Sequence, residues 1–232
     1  AHRLRAQQHS PGGLLIIEGE AGIGKSCLCG ELLAQAQALG IKTLYGSGDD
    51  IERTTAYFAW TRVFREIFEL PQNGSETDLE RARGRLLELV PEQAGQMELL
   101  GPVLRLKLPD RRDDGDGWAV AMASLGTAEQ RQALLVQILS RLRESESLLL
   151  LIENAHWLDS ASWALLWRIR REVPQLLMVV VSRPLAAIAD SAVLAEYQKL
   201  RNAKDAELLS LAPLSIEDTA ALLRDRLGAA IL

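Results

Sequence analysis

Short, uninterrupted apolar runs alternate along this chain with longer stretches in which apolar residues recur every three or four positions. Leu14-Leu15-Ile16-Ile17, Leu148-Leu149-Leu150-Leu151-Ile152 and Leu176-Leu177-Met178-Val179-Val180-Val181 are runs of the first kind, the pattern of parallel strands buried on both faces. Ile41-Lys42-Thr43-Leu44-Tyr45 and Glu207-Leu208-Leu209-Ser210-Leu211 are weaker strand candidates. Between them, Leu28, Leu32, Leu33, Ala36 and Leu39 fall at helical spacing and Gly40 supplies the stop. Tyr57, Phe58, Trp60, Val63, Phe64, Ile67 and Phe68 predict an aromatic-rich helix over 55–70 that packs into the core. Leu134, Leu135, Ile138, Leu139 and Leu142 mark one face of a helix over 128–143, and Ser215 with Glu217 and Asp218 caps a last helix. Strands and helices in alternation predict an α/β fold, a doubly wound parallel sheet of about five strands with helices on both faces and right-handed crossovers.

From Pro71 to Trp118 the pattern weakens into short helices around Leu86-Leu87-Glu88-Leu89 and Met97-Glu98-Leu99-Leu100, then a loop from Pro109 to Gly117. The Asp-rich look of that loop lacks the closing Glu of a calcium site. The expected organisation is a core over 1–212 that carries a helical and loop insertion at 70–120. Residues 213–232 begin a helical lid that the chain cuts short.

Composition narrows the function classes. Hydrophobic content of 48% with 25% charged residues is globular, and no apolar stretch reaches bilayer length. Ala1-His2-Arg3-Leu4-Arg5 lacks the apolar core of a signal segment, so the expected location is the cytoplasm, without a membrane partner. A net charge of −5 argues against direct nucleic-acid binding. The clusters Arg81, Arg83, Arg85 and Arg168, Arg170, Arg171 sit among acids and read as solvated faces. Cys27 and Cys29 are the only cysteines; two residues apart on one helix they point in different directions and suit neither a disulfide nor zinc.

The chemistry concentrates after the first apolar run. Gly19-Glu20-Ala21-Gly22-Ile23-Gly24-Lys25-Ser26 fits G-x-x-x-x-G-K-[ST], where a buried strand should give way to a helix. The glycines let successive backbone N–H groups converge on an anion, and the new helix directs its positive end at the same charge. Lys25 adds a point charge for β- and γ-phosphates and Ser26 offers a hydroxyl to Mg²⁺. The phosphate-contacting set is therefore Gly19, Glu20, Ala21, Gly22, Ile23, Gly24, Lys25, Ser26 and Cys27, with a nucleoside triphosphate as ligand. Phosphate-loop enzymes usually place an acid at the tip of a second buried strand to hold the metal, and Glu153, after five apolar residues, is that candidate. Asp159 reads as the N-cap of the next helix, and His156 as a structural histidine beside Trp157.

These two segments, Ile17 to Ser26 and Leu151-Ile152-Glu153-Asn154-Ala155-His156-Trp157-Leu158-Asp159-Ser160-Ala161-Ser162, resemble the AAA-like ATPase module of signal-transduction ATPases with numerous domains. Such modules occur in multidomain transcriptional activators and behind the cyclase domains of soluble-adenylyl-cyclase-like proteins. Tyr57-Phe58-Ala59-Trp60, Val181-Ser182-Arg183-Pro184 and Leu211-Ala212-Pro213-Leu214-Ser215 extend the resemblance over nearly the whole chain. It implies ATP and Mg²⁺ as ligands, ADP as product, neighbouring effector and repeat domains as partners, and assembly that depends on nucleotide. It places Arg183 as a sensor of the γ-phosphate at the end of the strand beside the loop strand. In that family the residue after the metal-side acid is typically a second acid that activates water; here it is Asn154, which cannot accept a proton. Binding with slow or absent hydrolysis follows, unless Glu153 serves both roles. The upstream Gly-Arg segment of the family has no counterpart before Pro11, and the chain stops short of the winged-helix element. The alternatives are a phosphate-loop kinase or transferase, which needs an acceptor pocket with its own base, and a nucleotide-binding scaffold without turnover.

Overall fold

The computed structural model describes residues 12–71, 78–106, 126–184 and 190–227. Five strands, β1 (Gly13–Glu18), β2 (Lys42–Ser47), β3 (Leu148–Glu153), β4 (Leu177–Ser182) and β5 (Ala206–Ser210), form one sheet in the order β2-β3-β4-β1-β5, every neighbouring pair parallel. β3 and β4 are buried along their whole length, as continuous apolar runs require. The α/β architecture, a P-loop NTPase-type parallel sheet with helices around it, is the one expected.

The helices are α1 (Lys25–Ala38), α2 (Phe58–Ile67), α3 (Asp78–Leu89), α4 (Met97–Leu104), α5 (Ala128–Ser145), α6 (Ser160–Glu172), α7 (Ser191–Arg201) and α8 (Ile216–Leu227). Alternate strand residues feed two cores. Leu14, Ile16, Leu44, Leu150, Ile152, Met178 and Val180 face the larger one, built with α2 to α7, where Trp60, Phe64, Trp163 and Tyr197 are buried. Ile17, Leu149, Leu151, Val179 and Val181 face the smaller one with α1, whose Cys29 and Ala36 are its fully buried residues. The aromatic stretch thus packs as core, and Cys27 and Cys29 diverge, one exposed and one buried.

Two element boundaries differ from the sequence reading for identifiable reasons. Ile41 is not a strand residue: Gly40 turns left-handed at φ 71, Gly40 N–H bonds Gln37 O and Ile41 N–H bonds Ala36 O, both at 2.9 Å. That is a Schellman C-cap, with Ile41 as its buried hydrophobic contact. β2 in turn runs on to Ser47 because Gly46 and Ser47 pair with Ile152 and Glu153. The helix expected over 55–70 is confined to α2, since Tyr57 (φ 62) and Glu69 (φ 55) both adopt left-handed backbone.

The short helices of the 70–120 region are α3 and α4, joined by a 3₁₀ segment at Pro91–Gln96. The Pro109–Gly117 segment lies outside the described residues. Buried Arg65 of α2 ties this region together, donating to the carbonyls of Pro71 and Leu104 and pairing with buried Asp78. Ser215 caps α8 through Asp218 N–H at 3.0 Å. Among the described residues no helix is long and apolar enough to cross a membrane.

Candidate functional site

The order β2-β3-β4-β1-β5 delivers the carboxyl ends of β1, β3 and β4 side by side, where an open α/β sheet binds its ligands. The segment leaving β1 turns at Gly22 (φ 79) and Gly24 (φ 100), conformations that side chains rarely adopt. Gly24 is also the N-cap of α1 and makes no side-chain cap, so the N–H groups of the first turn are left for an anion. The Lys25 ammonium is held at 2.7 Å by each of the carbonyls of Gly19 and Glu20. Its pKa is lowered, first by burial and then by the Arg183 charge, with Glu20 and Glu153 opposing.

Glu153 ends β3 almost wholly buried, and its carboxylate accepts two hydroxyls: Ser26 Oγ on Oε1 and Tyr45 Oη on Oε2, each at 2.7 Å. The register explains the second bond, since β2 and β3 pair in parallel with Ser47 opposite Glu153, which brings Tyr45 within reach. Burial and the Glu153 bond push the Tyr45 phenol up to about 12, so it stays a donor at neutral pH. Asn154 turns left-handed at φ 53 and donates from Nδ2 to Ser47 Oγ at 3.2 Å. Gly48 lies against this turn; a Cβ there would meet Asn154 O at 2.5 Å.

Arg183, just beyond β4, places its guanidinium 5.5 Å from the centre of the Trp157 ring. His156 lies against Trp157 with ring centres 4.5 Å apart and the ring planes tilted by 44°. Its pKa falls to about 4, through burial first and then the Arg183, Lys25 and Arg53 charges.

One concave space of about 340 Å³ collects Ala21, Gly22, Gly24, Lys25, Ser26, Cys27, Asn154, His156 and Arg183. Of the residues singled out in the sequence, Glu153 joins this wall through Ser26. Gly19 and Ile23 shape the loop from behind, where a Cβ on Gly19 would meet Ile23 Cγ2 at 2.7 Å, and Glu20 is exposed. Asp159 stands apart as the N-cap of α6, accepting from Ser162 N–H at 2.9 Å. Five of the arginines from the two basic clusters sit in ion pairs with acids: Arg83, Arg85, Arg168, Arg170 and Arg171. Tyr45 and Ser47 were missed by sequence reading; no local pattern marks a tyrosine whose role follows from strand register.

The donor set fits a magnesium nucleotide. Ser26 and Glu153 present two hard oxygens, and Mg²⁺ takes few protein ligands, filling its shell with phosphate oxygens and water. Among the described residues no cluster of three His, Cys, Asp or Glu side chains forms a separate metal site.

A search of curated proteins returned no match. The family model for the AAA ATPase domain matches residues 1–182, about four-fifths of the chain, and spans the loop, Glu153, Asn154 and the whole of β4. A P-loop sheet with this loop and this carboxylate, matched over that length, places the chain in the AAA ATPase domain family, a family of nucleotide-binding modules.

Proposed function

We propose that this chain binds ATP with Mg²⁺ as a regulatory switch within a larger multidomain signalling protein, and that it turns the nucleotide over slowly. The observation that carries this reading is the Ser26–Glu153 bond at 2.7 Å, next to Lys25 in the loop cavity. Lys25 and the first-turn N–H groups of α1 bind the phosphate charge, Ser26 and Glu153 hold the metal, and Tyr45 fixes the orientation of the carboxylate. Mg²⁺, when bound, supplies charge neutralisation at the β- and γ-oxygens. In this reading Arg183 senses the terminal phosphate by forked hydrogen bonds.

Slow turnover follows from what borders the same space. Asn154 donates one of its two amide hydrogens to Ser47 and has no site to take a proton from water. General-base help is commonly worth about 10²–10⁴ in rate, and that factor is forgone here.

The switch reading requires core and lid to have two arrangements with different nucleotide affinity. Residues 213–232 are the beginning of that lid in this reading, and the segment around β5 and α8 leaves Leu208, Leu209, Leu214 and Ile216 exposed for neighbouring elements to cover. Assembly that depends on bound nucleotide, and release of ADP, belong to the same cycle.

Calorimetry with ATP and Mg²⁺ on the native chain and on Lys25→Ala tests the proposal. A binding heat that disappears in the variant supports it. No heat in the native chain, or equal heat in both, overturns it.

A further inference from the structure

His156 borders a second cavity as well as the loop cavity. This space of about 420 Å³ lies between the turn at Ala155–Trp157, α6 and α7, within the size range of small-molecule sites. Trp157, Leu158, Trp163, Ala164 and Val193 give it an apolar, partly aromatic wall. Neither nucleotide chemistry nor the fold accounts for it.

Two polar side chains in that wall are unpartnered. Trp163 is 2% exposed and its Nε1–H has no acceptor; His156 is 9% exposed and neither ring nitrogen has a partner, among the described residues. Buried indole N–H groups normally find an acceptor. Trp60 and Trp167 do, on Ser162 O at 3.3 Å and on Glu196 Oε2 at 2.9 Å. The charged side chains of the wall are committed: Asp159 to Ser162, Asp190 to the N–H groups of Ala192 and Val193, Glu196 to Trp167 and Lys199, and Arg53 to Asp50.

The charges define what fits. At the His156 end, Arg183, Lys25 and Arg53 disfavour a further positive charge; together with burial, the larger cause, they lower the histidine pKa. At the α7 end, Asp190 and Glu196 disfavour an anion. The complementary occupant is uncharged and dipolar, with its acceptor toward His156 and Trp163.

We propose that this cavity binds an uncharged planar heteroaromatic molecule carrying a carbonyl or ring-nitrogen acceptor, paired with Trp163 Nε1 and His156, and that its occupancy alters nucleotide affinity in the adjoining loop cavity. Two contacts connect the spaces. Trp157 belongs to the cavity wall and lies beneath the Arg183 guanidinium. α7, which forms the opposite wall, anchors the end of β1 through the Tyr197 hydroxyl on Glu18 Oε1 at 2.9 Å, one residue before the loop. The coupling rests on the nucleotide reading of the loop; the binding site does not. Such coupling is reciprocal and is expected to change affinity about fivefold or more.

The test uses the chain labelled with ¹⁵N at tryptophan, with nicotinamide and uracil as probes. The indole cross-peak assigned by its loss in Trp163→Phe should shift saturably with at least one probe, up to about 10 mM, where fragments of roughly ten atoms bind. Ala164→Trp, at an exposed position of α6 in the cavity wall, should weaken that binding by about tenfold or more. Ala195→Phe on α7 gives the same test from the facing wall should the first variant fail to fold. Lys25→Ala should lose nucleotide binding and keep the probe shift, and saturating probe should change the calorimetric affinity for ATP and Mg²⁺. Probe binding without any nucleotide heat sinks the nucleotide reading and leaves the cavity standing. The cavity proposal is overturned if neither probe shifts Trp163, if both filling variants bind as the native chain does, or if magnesium ATP displaces the probe one for one, which would make the cavity the base subsite of the nucleotide. An unchanged nucleotide affinity at saturating probe overturns the coupling.

Discussion

Tyr45 donates its phenolic hydrogen to Glu153 Oε2 at 2.7 Å, across 108 residues of sequence and one strand of the sheet. With Ser26 on the other oxygen, the carboxylate is fixed from both sides. A hydrogen bond to a charged group contributes about 1.5–3 kcal/mol when both partners are desolvated, and Tyr45 is only half-buried, so the lower end applies. Tyr45→Phe should therefore weaken magnesium-dependent nucleotide affinity by about tenfold, with little change in affinity without the metal. Calorimetry with and without Mg²⁺ reads this difference; an equal loss in both conditions would show that Tyr45 acts on the loop rather than on the metal-side acid.

Asn154→Asp places a carboxylate where the amide now donates to Ser47. Single-turnover phosphate release should rise by about 10²-fold or more, the range of a restored base. A native chain that already turns over as fast as the variant would refute the slow-turnover reading.

Asp78 and Arg65 form an ion pair with both side chains about 97% buried, and the Arg65 guanidinium reaches carbonyls on both sides of the α3 region. Removing one partner of such a pair leaves an uncompensated buried charge. Asp78→Ala should cost about 3 kcal/mol in urea unfolding. A loss below about 1 kcal/mol would mean that the carbonyl bonds suffice to satisfy Arg65.

His156 gives stability a pH dependence of known sign. Its folded pKa of about 4 lies below the ordinary 6.5, so between those values the unfolded chain binds more protons and stability rises with pH. Below about 6.5 the contribution is progressively lost as the pH falls toward 4. From pH 7 to pH 5 the loss is about 2 kcal/mol, an upper value because the ring is not sealed from the loop cavity. His156→Gln should flatten this window when unfolding free energies are measured at both pH values; an unchanged slope would assign the dependence to other groups.

The apolar runs of β1, β3 and β4 and the glycine-spaced loop were legible in the chain because burial on both faces and close approach to an anion each restrict residue type locally. That the chain is an α/β nucleotide-binding module of the AAA ATPase type was likewise readable from Gly19 to Ser26 and from Leu148 to Glu153. The start of β2 was misread because Ile41 is equally apolar as a strand residue or as the hydrophobic contact of a helix cap; only the turn at Gly40 distinguishes them. Local sequence thus determined which elements form and where the phosphate loop lies. Tertiary structure alone decided that Tyr45 grips Glu153 across the β2–β3 register and that His156 borders two cavities at once. These relationships depend on strand order and register, which arise from the packing of segments a hundred residues apart and leave no mark on any single stretch of the chain.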